Sequence, residues 1–266
     1  KVPTIAGAEL AADGSNRYAD VTFSEPVYGG ADGTGGLTAD DLKVVFLANG
    51  GQATGAEIAA VTRADASEAA NASALEGGET VVRVFLDIAG TPSGTETIAI
   101  AAADAASAYD AAGNAASADA ASGTLTLRDK LAPTVDAVER IDATTIAVTL
   151  SEDAAVPDRE DDGGFAVEQT GGGAVYTVTA IAQGQDARHI VLTVANMAAS
   201  GKEGVVVRYA AGGNGVIADS AGNALADAEA TIAPWDTTAP TIAAAELAQD
   251  GSNRYADVTF GEPVDG

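Results

Sequence analysis

The chain has 266 residues, among them 39 acidic and 13 basic side chains, and its formal net charge at pH 7 is −26. So large an acidic excess excludes nucleic acid and anionic membrane surfaces as partners, because both carry negative charge. No cysteine is present, which excludes disulfides and thiolate metal sites, and no apolar run reaches the ~18 residues of a membrane span.

The stretch 1–128 predicts a series of short strands. Residues 18–24 alternate between polar and apolar side chains, as a half-buried strand does, and Pro26 is expected to end that strand because it has no backbone N–H. The Ala-rich stretches 64–75 and 101–121 are predicted as loops, the first with one or two helical turns. The predicted strands are 4–10, 18–24, 42–48, 53–62, 80–88, 95–101 and 123–127.

A second series of strands begins after Asp129-Lys-Leu-Ala-Pro-Thr134, which matches Asp236-Thr-Thr-Ala-Pro-Thr241. The strands predicted there are 144–150, 165–169, 175–182, 189–194, 205–209 and 228–232. This division predicts one domain over 1–128, a second over 129–236, and the truncated start of a third over 237–266.

A long internal repeat supports that division. The segments 1–29 and 238–266 are identical at 23 of 29 positions, at a constant offset of 237. Unrelated domains do not agree so closely, so the chain holds a large duplication. We expect it to represent one period of a longer array whose period contains two diverged copies of one fold.

About seven short strands per unit, separated by turn residues, predict an all-β fold of antiparallel sandwiches. Three motifs recur in a set order: Asp-x-x-Ala-Pro-Thr before the first strand, Ser-Glu after the second, and Asp-x-Ala-Gly-Asn before the last. Together they resemble the tandem bacterial Ig-like domains of large adhesins and S-layer-associated surface proteins. The resemblance implies Greek-key Ig-like sandwiches that act as spacers or fibre modules, with calcium stiffening the domain junctions. The second unit departs from the pattern, because it has Asp153 where the first has Pro26.

In an Ig-type sandwich, the loops that carry these motifs lie at the end that receives the preceding linker. Their carboxylate and amide oxygens are the hard ligands that Ca²⁺ takes. The predicted ligands are Asp129, Glu152, Asp219 and Asn223 at the first junction, Asp236 and Glu262 at the second, and Glu25, Asp110 and Asn114 at the N-terminal end. The alternative is that Asp and Asn serve only the turns and that Glu is merely exposed. The acidic run 158–162 is interpreted as a solvated loop in preference to another calcium site.

No catalytic constellation is recognisable. His189 is the only histidine, so a zinc site or a Ser-His-Asp triad has no support, and the chain is predicted not to be an enzyme. Trp235 at the second junction is expected to pack at an interface, with sugar binding as the alternative.

The leading hypothesis is therefore an extracellular, cell-surface structural repeat in a fibre, sheath or adhesin stalk. Its partners would be copies of itself or adjacent repeats. The alternatives are a module that binds a surface glycan and the accessory region of a large secreted hydrolase. Adaptation to high salt is a further explanation of the acidity.

Overall fold

A computed structural model describes residues 1–117, 121–197, 204–211, 216–234, 240–247 and 256–261. The described chain is almost entirely β-structure and forms two compact units. The first unit comprises Lys1–Ala132 together with Asp219–Asn223, and the second comprises Pro133–Ala218 together with Ala224–Gly266. Within the described residues, no helix is long and apolar enough to cross a membrane.

The first unit contains two antiparallel sheets. Its strands are β1 (Ile5–Leu10), β2 (Tyr18–Val27), β3 (Leu42–Leu47), β4 (Gly55–Thr62), β5 (Glu79–Ala89), β6 (Thr97–Ala102) and β7 (Leu125–Thr126). One sheet has the order β1-β2-β5-β4 and the other β3-β6-β7. Val21 and Val84 of the first sheet and Ile98 and Ile100 of the second are buried in one hydrophobic core. The unit is therefore a sandwich, as the alternating pattern predicts.

The second unit repeats this arrangement with one more strand. Its strands are β8 (Val135–Arg140), β9 (Thr145–Leu150), β10 (Phe165–Gln169), β11 (Val175–Tyr176), β12 (Val178–Gln183), β13 (His189–Val194), β14 (Val205–Tyr209) and β15 (Ala228–Ile232). The sheets have the orders β12-β13-β9-β8 and β11-β10-β14-β15. Ile146 and Ile190 of one sheet share a core with Val167 and Val207 of the other.

Two further strands, β16 (Ile242–Leu247) and β17 (Ala256–Phe260), form an antiparallel hairpin. Among the described residues they pair only with each other. Their register equals that of β1 and β2 at the offset of 237: Ile242 lies opposite Phe260, as Ile5 lies opposite Phe23.

Two strand predictions were wrong in detail. The stretch 175–182 is not one strand, because β11 pairs with β10 whereas β12 pairs with β13 in the other sheet. The chain therefore changes sheets at Thr177. Pro26 does not end β2, which continues to Val27. The register between β2 and β5 shifts between Thr22 and Val27, so Pro26 lies where no ladder hydrogen bond is required.

A buried asparagine holds the last strand of the first unit in place. Asn16 donates from Nδ2 to the carbonyl oxygen of Arg128 at 2.8 Å, and its Oδ1 accepts the Arg128 backbone N–H at 2.9 Å. The side chain thus makes the same two bonds that an opposing strand residue makes in a ladder. It joins the turn between β1 and β2 to the segment that follows β7.

Candidate metal centre

The first Asp-x-Ala-Gly-Asn motif forms a closed loop around Asp110. The Oδ1 atom accepts the backbone N–H groups of Ala112 and Asn114, and Oδ2 accepts the Asn114 side-chain amide at 2.8 Å. Gly113 has φ +79°, which glycine adopts without strain, and its N–H donates to the Asp110 carbonyl. The motif's spacing therefore has a structural explanation.

The second motif forms the same loop around Asp219. Its Oδ1 accepts the N–H groups of Ala221 and Asn223, both at 2.8 Å, and its Oδ2 accepts the Asn223 amide at 2.8 Å. Gly222 takes the left-handed conformation with φ +88°. In both loops Asp and Asn serve the turn, which is the alternative role that the sequence suggested. Neither loop excludes a metal, since each carboxylate oxygen has further lone pairs.

The carboxylates of Asp129 and Asp219, both in the first unit, offer oxygens within 4.8 Å of each other. Asp129 Oδ1 also accepts the Leu131 N–H at 2.9 Å. Within the described part of the chain, no Lys or Arg forms an ion pair with either carboxylate. Two anionic groups so close together repel each other unless a cation lies between them.

The other predicted ligands are distributed as follows. Glu152 lies in the second unit and is partly buried. Glu25 lies near the end of β2, and its Oε1 atom is buried without a hydrogen-bond partner among the described residues. Asp110 is buried, and the α-amino group of Lys1 lies 3.9 Å from its Oδ2. Asp236 and Glu262 are outside the described residues, as is Trp235.

The loop geometry also affects the protonation of Asp110. The hydrogen bond from the Asn114 side chain, followed by that from the Asn114 backbone, lowers the pKa of the Asp110 carboxyl. Partial burial opposes this shift, while the Ala112 N–H and the N-terminal amine add to it. Asp110 is therefore ionised at neutral pH, as a metal ligand must be.

The Ser-Glu motif has a structural role through its serine. Ser24 donates its backbone N–H to the Thr4 carbonyl at 2.8 Å, and its Oγ accepts the Thr4 N–H at 3.0 Å. Ser151 and Thr134 make the same pair of bonds in the second unit, both at 2.9 Å. We call this arrangement the Thr–Ser clasp. It fixes the entry to the first strand, immediately before a β-bulge.

The acidic run 158–162 acts as a turn. Arg159 forms two hydrogen bonds with the Asp161 carboxylate, and Asp161 also accepts the Gly163 N–H. Arg159 exchanges backbone hydrogen bonds with Ile181, which attaches the run to β12. His189 contacts Asp186, with Nδ1 and Oδ1 2.5 Å apart, and is partly exposed on β13. Neither feature gathers a set of metal ligands.

One buried acidic residue was missed at the sequence level. Glu96, just before β6, is fully buried, and its carboxylate accepts the N–H groups of Ala53 at 2.7 Å and Ser93 at 2.9 Å. It therefore ties the turn before β4 to the turn before β6. The sequence carried a signal of this burial, because the alternating pattern that buries Ile98 and Ile100, extended back to Glu96, places Glu96 on the same buried side.

No protein-family model and no curated protein matches this chain. Three solved structures are similar to part of it. The S-layer protein rSbsC(31-844) is 16% identical with a TM-score of 0.35, over 48% of this chain and 18% of that one. The N-terminal part of the bacterial S-layer protein SbsC is 14% identical with a TM-score of 0.34, over 48% of this chain and 31% of that one. Domains 1-6 of surface layer protein SbsC are 15% identical with a TM-score of 0.35, over 49% of this chain and 18% of that one.

The aligned part thus spans less than a third of each of these chains. All three are S-layer proteins, the type of surface protein that the sequence motifs resemble.

Proposed function

We propose that this chain is a non-catalytic structural repeat of a long extracellular surface fibre, sheath or adhesin stalk. The observation that carries the proposal is the repeated hairpin: the strands of β16–β17 match those of β1–β2 at an offset of 237 in register and in sequence, except that Ala244 replaces Gly7. Repetition at such a period builds length from one folding unit. The motif aspartates Asp110 and Asp219 hold their loops closed and the motif serines fix the strand entries, which are structural roles of the kind that a scaffold requires.

The sandwiches are Ig-like in this proposal. The order β1-β2-β5-β4 with β3-β6-β7 corresponds to the order A-B-E-D with C-F-G of constant-type Ig domains. The second unit has the same order with β11 added beside β10. These strand orders support the assignment, together with the three motifs.

Calcium is the proposed stiffening ion. Support comes from the Asp129 and Asp219 carboxylates, which lie close together without a basic partner among the described residues. Asn223, in the same loop as Asp219, is proposed as a further ligand of this set, and Glu152 of the second unit is proposed as a ligand from its Ser-Glu motif. Glu25, with its buried Oε1, would serve with Asp110 and Asn114 at the N-terminal end. Carboxylate and amide oxygens suit Ca²⁺ better than softer metals.

Thermal unfolding tests the calcium proposal. Protein treated with EGTA is compared with protein in CaCl₂ or NaCl at matched ionic strength. An ion that binds only the folded state raises the free energy of unfolding, by about 2.7 kcal/mol at 100 times its Kd. The double variant Asp129→Asn with Glu152→Gln should lose the response, whereas Asp153→Asn, an exposed neighbour, should keep it. Equal stabilisation by NaCl would contradict specific binding and favour the high-salt explanation.

Immunogold electron microscopy of the source cells tests the surface role. Antibodies raised against this chain should label filaments or a layer outside the cell, with a regular axial repeat. Label confined to the cell interior would refute the proposal. Specific binding of the purified chain to a glycan array would favour the glycan-binding alternative.

A further inference from the structure

Strand β3 is a straight edge strand of the first sandwich. Among the described residues it pairs only with β6, over six consecutive pairs without a register shift. Its other edge therefore presents backbone N–H and C=O groups that are open to a further strand. Val44 and Phe46 pack against the core, whereas Val45 and Leu47 face outward and are 45% and 57% exposed.

The other edge strands in the described part of the two units each have a feature that hinders pairing. Strands β1, β4, β8 and β12 contain a bulge, β7 and β11 have only two residues, and β15 carries the exposed Glu229. Bulges, short length and charge are the usual protections of an exposed edge. Lys43 does not protect β3, because its Nζ donates to the Ala103 carbonyl at 3.1 Å, just beyond the paired strand β6.

The second unit shows what the same edge of the fold accepts. Strand β10 has the place of β3 in the sheet order, and β11 pairs antiparallel with its outer edge. Val167 lies opposite Tyr176, which is buried in the core, and Glu168 lies opposite Val175, which is 75% exposed. A short antiparallel strand with apolar residues on both faces therefore fits this edge.

The charge of the chain restricts which strand can approach β3. Two copies that each carry a formal net charge of −26 repel each other, so a contact between them requires a surface without acids. Neither β3 nor its six partner residues on β6 include an acidic side chain. Within the described units, β3 is also the one edge strand that is longer than two residues, straight and free of acids, so the matching strand is the β3 of a second copy.

We infer that β3 pairs antiparallel with the β3 of a second copy about a two-fold axis at Val45, which joins the two β3-β6-β7 sheets into one. In this register Lys43 lies opposite Leu47 of the second copy, and Val44 lies opposite its Phe46. Outward residues thus meet outward residues, and core-facing residues meet core-facing residues, as one continuous sheet requires.

The position of the axis follows from the lysines and from Leu47. With the axis at Val45, the two Lys43 side chains start four positions apart along the strands, about 14 Å. This separation exceeds the Debye length of ~8 Å at physiological ionic strength. An axis at Val44 would bring the lysines closer and leave Leu47 unpaired. The inference depends on the edge geometry, and it is independent of the proposed surface role and of calcium.

Sedimentation velocity of the full chain tests the pairing. One strand pair buries less than the ~1,200 Å² of a stable interface, so dimers should appear at about 0.1–1 mM protein. The buffer contains EGTA, which removes calcium, and about 0.5 M NaCl, which screens the net charge. Val45→Glu should lower the association constant at least about tenfold, because two carboxylates would then face each other.

Val175→Glu on β11 is the matched control and should associate like the parent. Both valines are exposed, so neither change should unfold the chain, and circular dichroism checks this. A parent chain that stays monomeric at about 1 mM would overturn the inference. Equal association of the parent and Val45→Glu would overturn it as well.

A cysteine at the proposed axis identifies the pairing strand. The chain has no cysteine, so Val45→Cys introduces a single thiol. Directly opposite residues of paired strands have Cβ atoms about 4.5–5.5 Å apart, which a small adjustment brings within disulfide range. Oxidation should give a disulfide dimer at least about tenfold faster for Val45→Cys than for Val175→Cys, although Val175 is the more exposed residue. Equal rates would show that β3 does not pair with itself and would overturn the inference.

Discussion

The guanidinium of Arg83 forms two parallel hydrogen bonds with the carboxylate of Asp20, Nε to Oδ1 and Nη2 to Oδ2, both 2.7 Å long. The two residues lie directly opposite each other on β5 and β2. The same guanidinium lies 3.8 Å from the centroid of the Tyr18 ring and donates to the Ala66 carbonyl. One side chain therefore links two strands, an aromatic face and a loop.

Replacing Arg83 with lysine should reduce the free energy of unfolding of the first unit by roughly 1–2 kcal/mol, because lysine keeps the charge but loses the two-pronged geometry and the ring contact. Urea denaturation measures this. Arg208→Lys is the matched control, since Arg208 pairs with Glu168 and Glu229 at an exposed site and should change stability by less than about 0.5 kcal/mol. Equal effects would refute the special role of Arg83.

Glu96→Gln should destabilise the first unit by about 2 kcal/mol, because the neutral amide weakens charge-assisted bonds in a buried place and leaves its own donors unpaired. The exposed Glu57→Gln on β4 is the control and should have little effect. Urea denaturation at pH 7 compares the two. A Glu96→Gln variant as stable as the parent would show that the carboxylate is not required.

The effect of Glu96 should depend on pH. Burial by itself would raise the pKa of Glu96, but the N–H groups of Ala53, Glu96 itself, Ser93 and Thr95 outweigh it and hold the pKa below the ordinary 4.5. A lowered pKa in the folded state gives stability that is fully present above pH 4.5 and is lost as the pH falls toward the folded-state pKa. The stability difference between parent and Glu96→Gln should therefore shrink below pH 4.5. A difference that stays constant down to pH 3 would contradict this.

The two Asp-x-Ala-Gly-Asn loops predict unequal costs for the same change. Alanine at Gly222 would carry only the strain of positive φ, about 1 kcal/mol, because no atom lies within 4 Å of the added Cβ. Alanine at Gly113 would also place its Cβ 2.4 Å from the Ala31 carbonyl oxygen, so it should cost at least about 1 kcal/mol more. Hydrogen exchange resolved at the amides of each loop can compare the two variants. Equal costs would mean that the Ala31 segment moves aside.

The Thr–Ser clasp gives a further prediction. Ser24→Ala removes the acceptor for the Thr4 N–H and should cost about 1 kcal/mol, with faster exchange at that amide. The hairpin β16–β17 shows the same loss naturally, because Gly261 stands in the place of Ser24. Gly261 has no hydroxyl group, and only its backbone N–H bonds to the Thr241 carbonyl. Thr22→Ala, an exposed neighbour on β2, serves as the control. An unaltered exchange rate at Thr4 in Ser24→Ala would refute the clasp.

Most strands followed from alternation and turn residues alone. The predicted strands 165–169, 189–194, 205–209 and 228–232 have the observed bounds. The failures occurred where tertiary pairing decides: the stretch at 175–182 is uniformly strand-like, and only pairing with different sheets breaks it at Thr177. Likewise, Pro26 is tolerated within β2 because the regular pairing of β2 with β5 is interrupted between Thr22 and Val27.

The candidate site was less predictable than the fold. The motifs located the acidic residues, and the structure brings Asp129 close to Asp219. The spacing of the motif could not show that Asp110 and Asp219 form hydrogen bonds within their own loops. The same interval between Asp and Asn suits both a turn and a metal-binding loop. Glu96 was overlooked because glutamate is ordinarily exposed, and only the surrounding N–H groups make its burial favourable.

The Asn16–Arg128 pair bears on how the first unit would respond to mechanical load. Tension on the segment that leaves the sandwich after β7 reaches Arg128 before it reaches the core. Arg128 is held by two hydrogen bonds to the buried side chain of Asn16, in the turn between β1 and β2. Both bonds must break before the last strand can separate from the sheet. The force needed to unfold the unit would therefore depend on one asparagine as well as on the packing of the core.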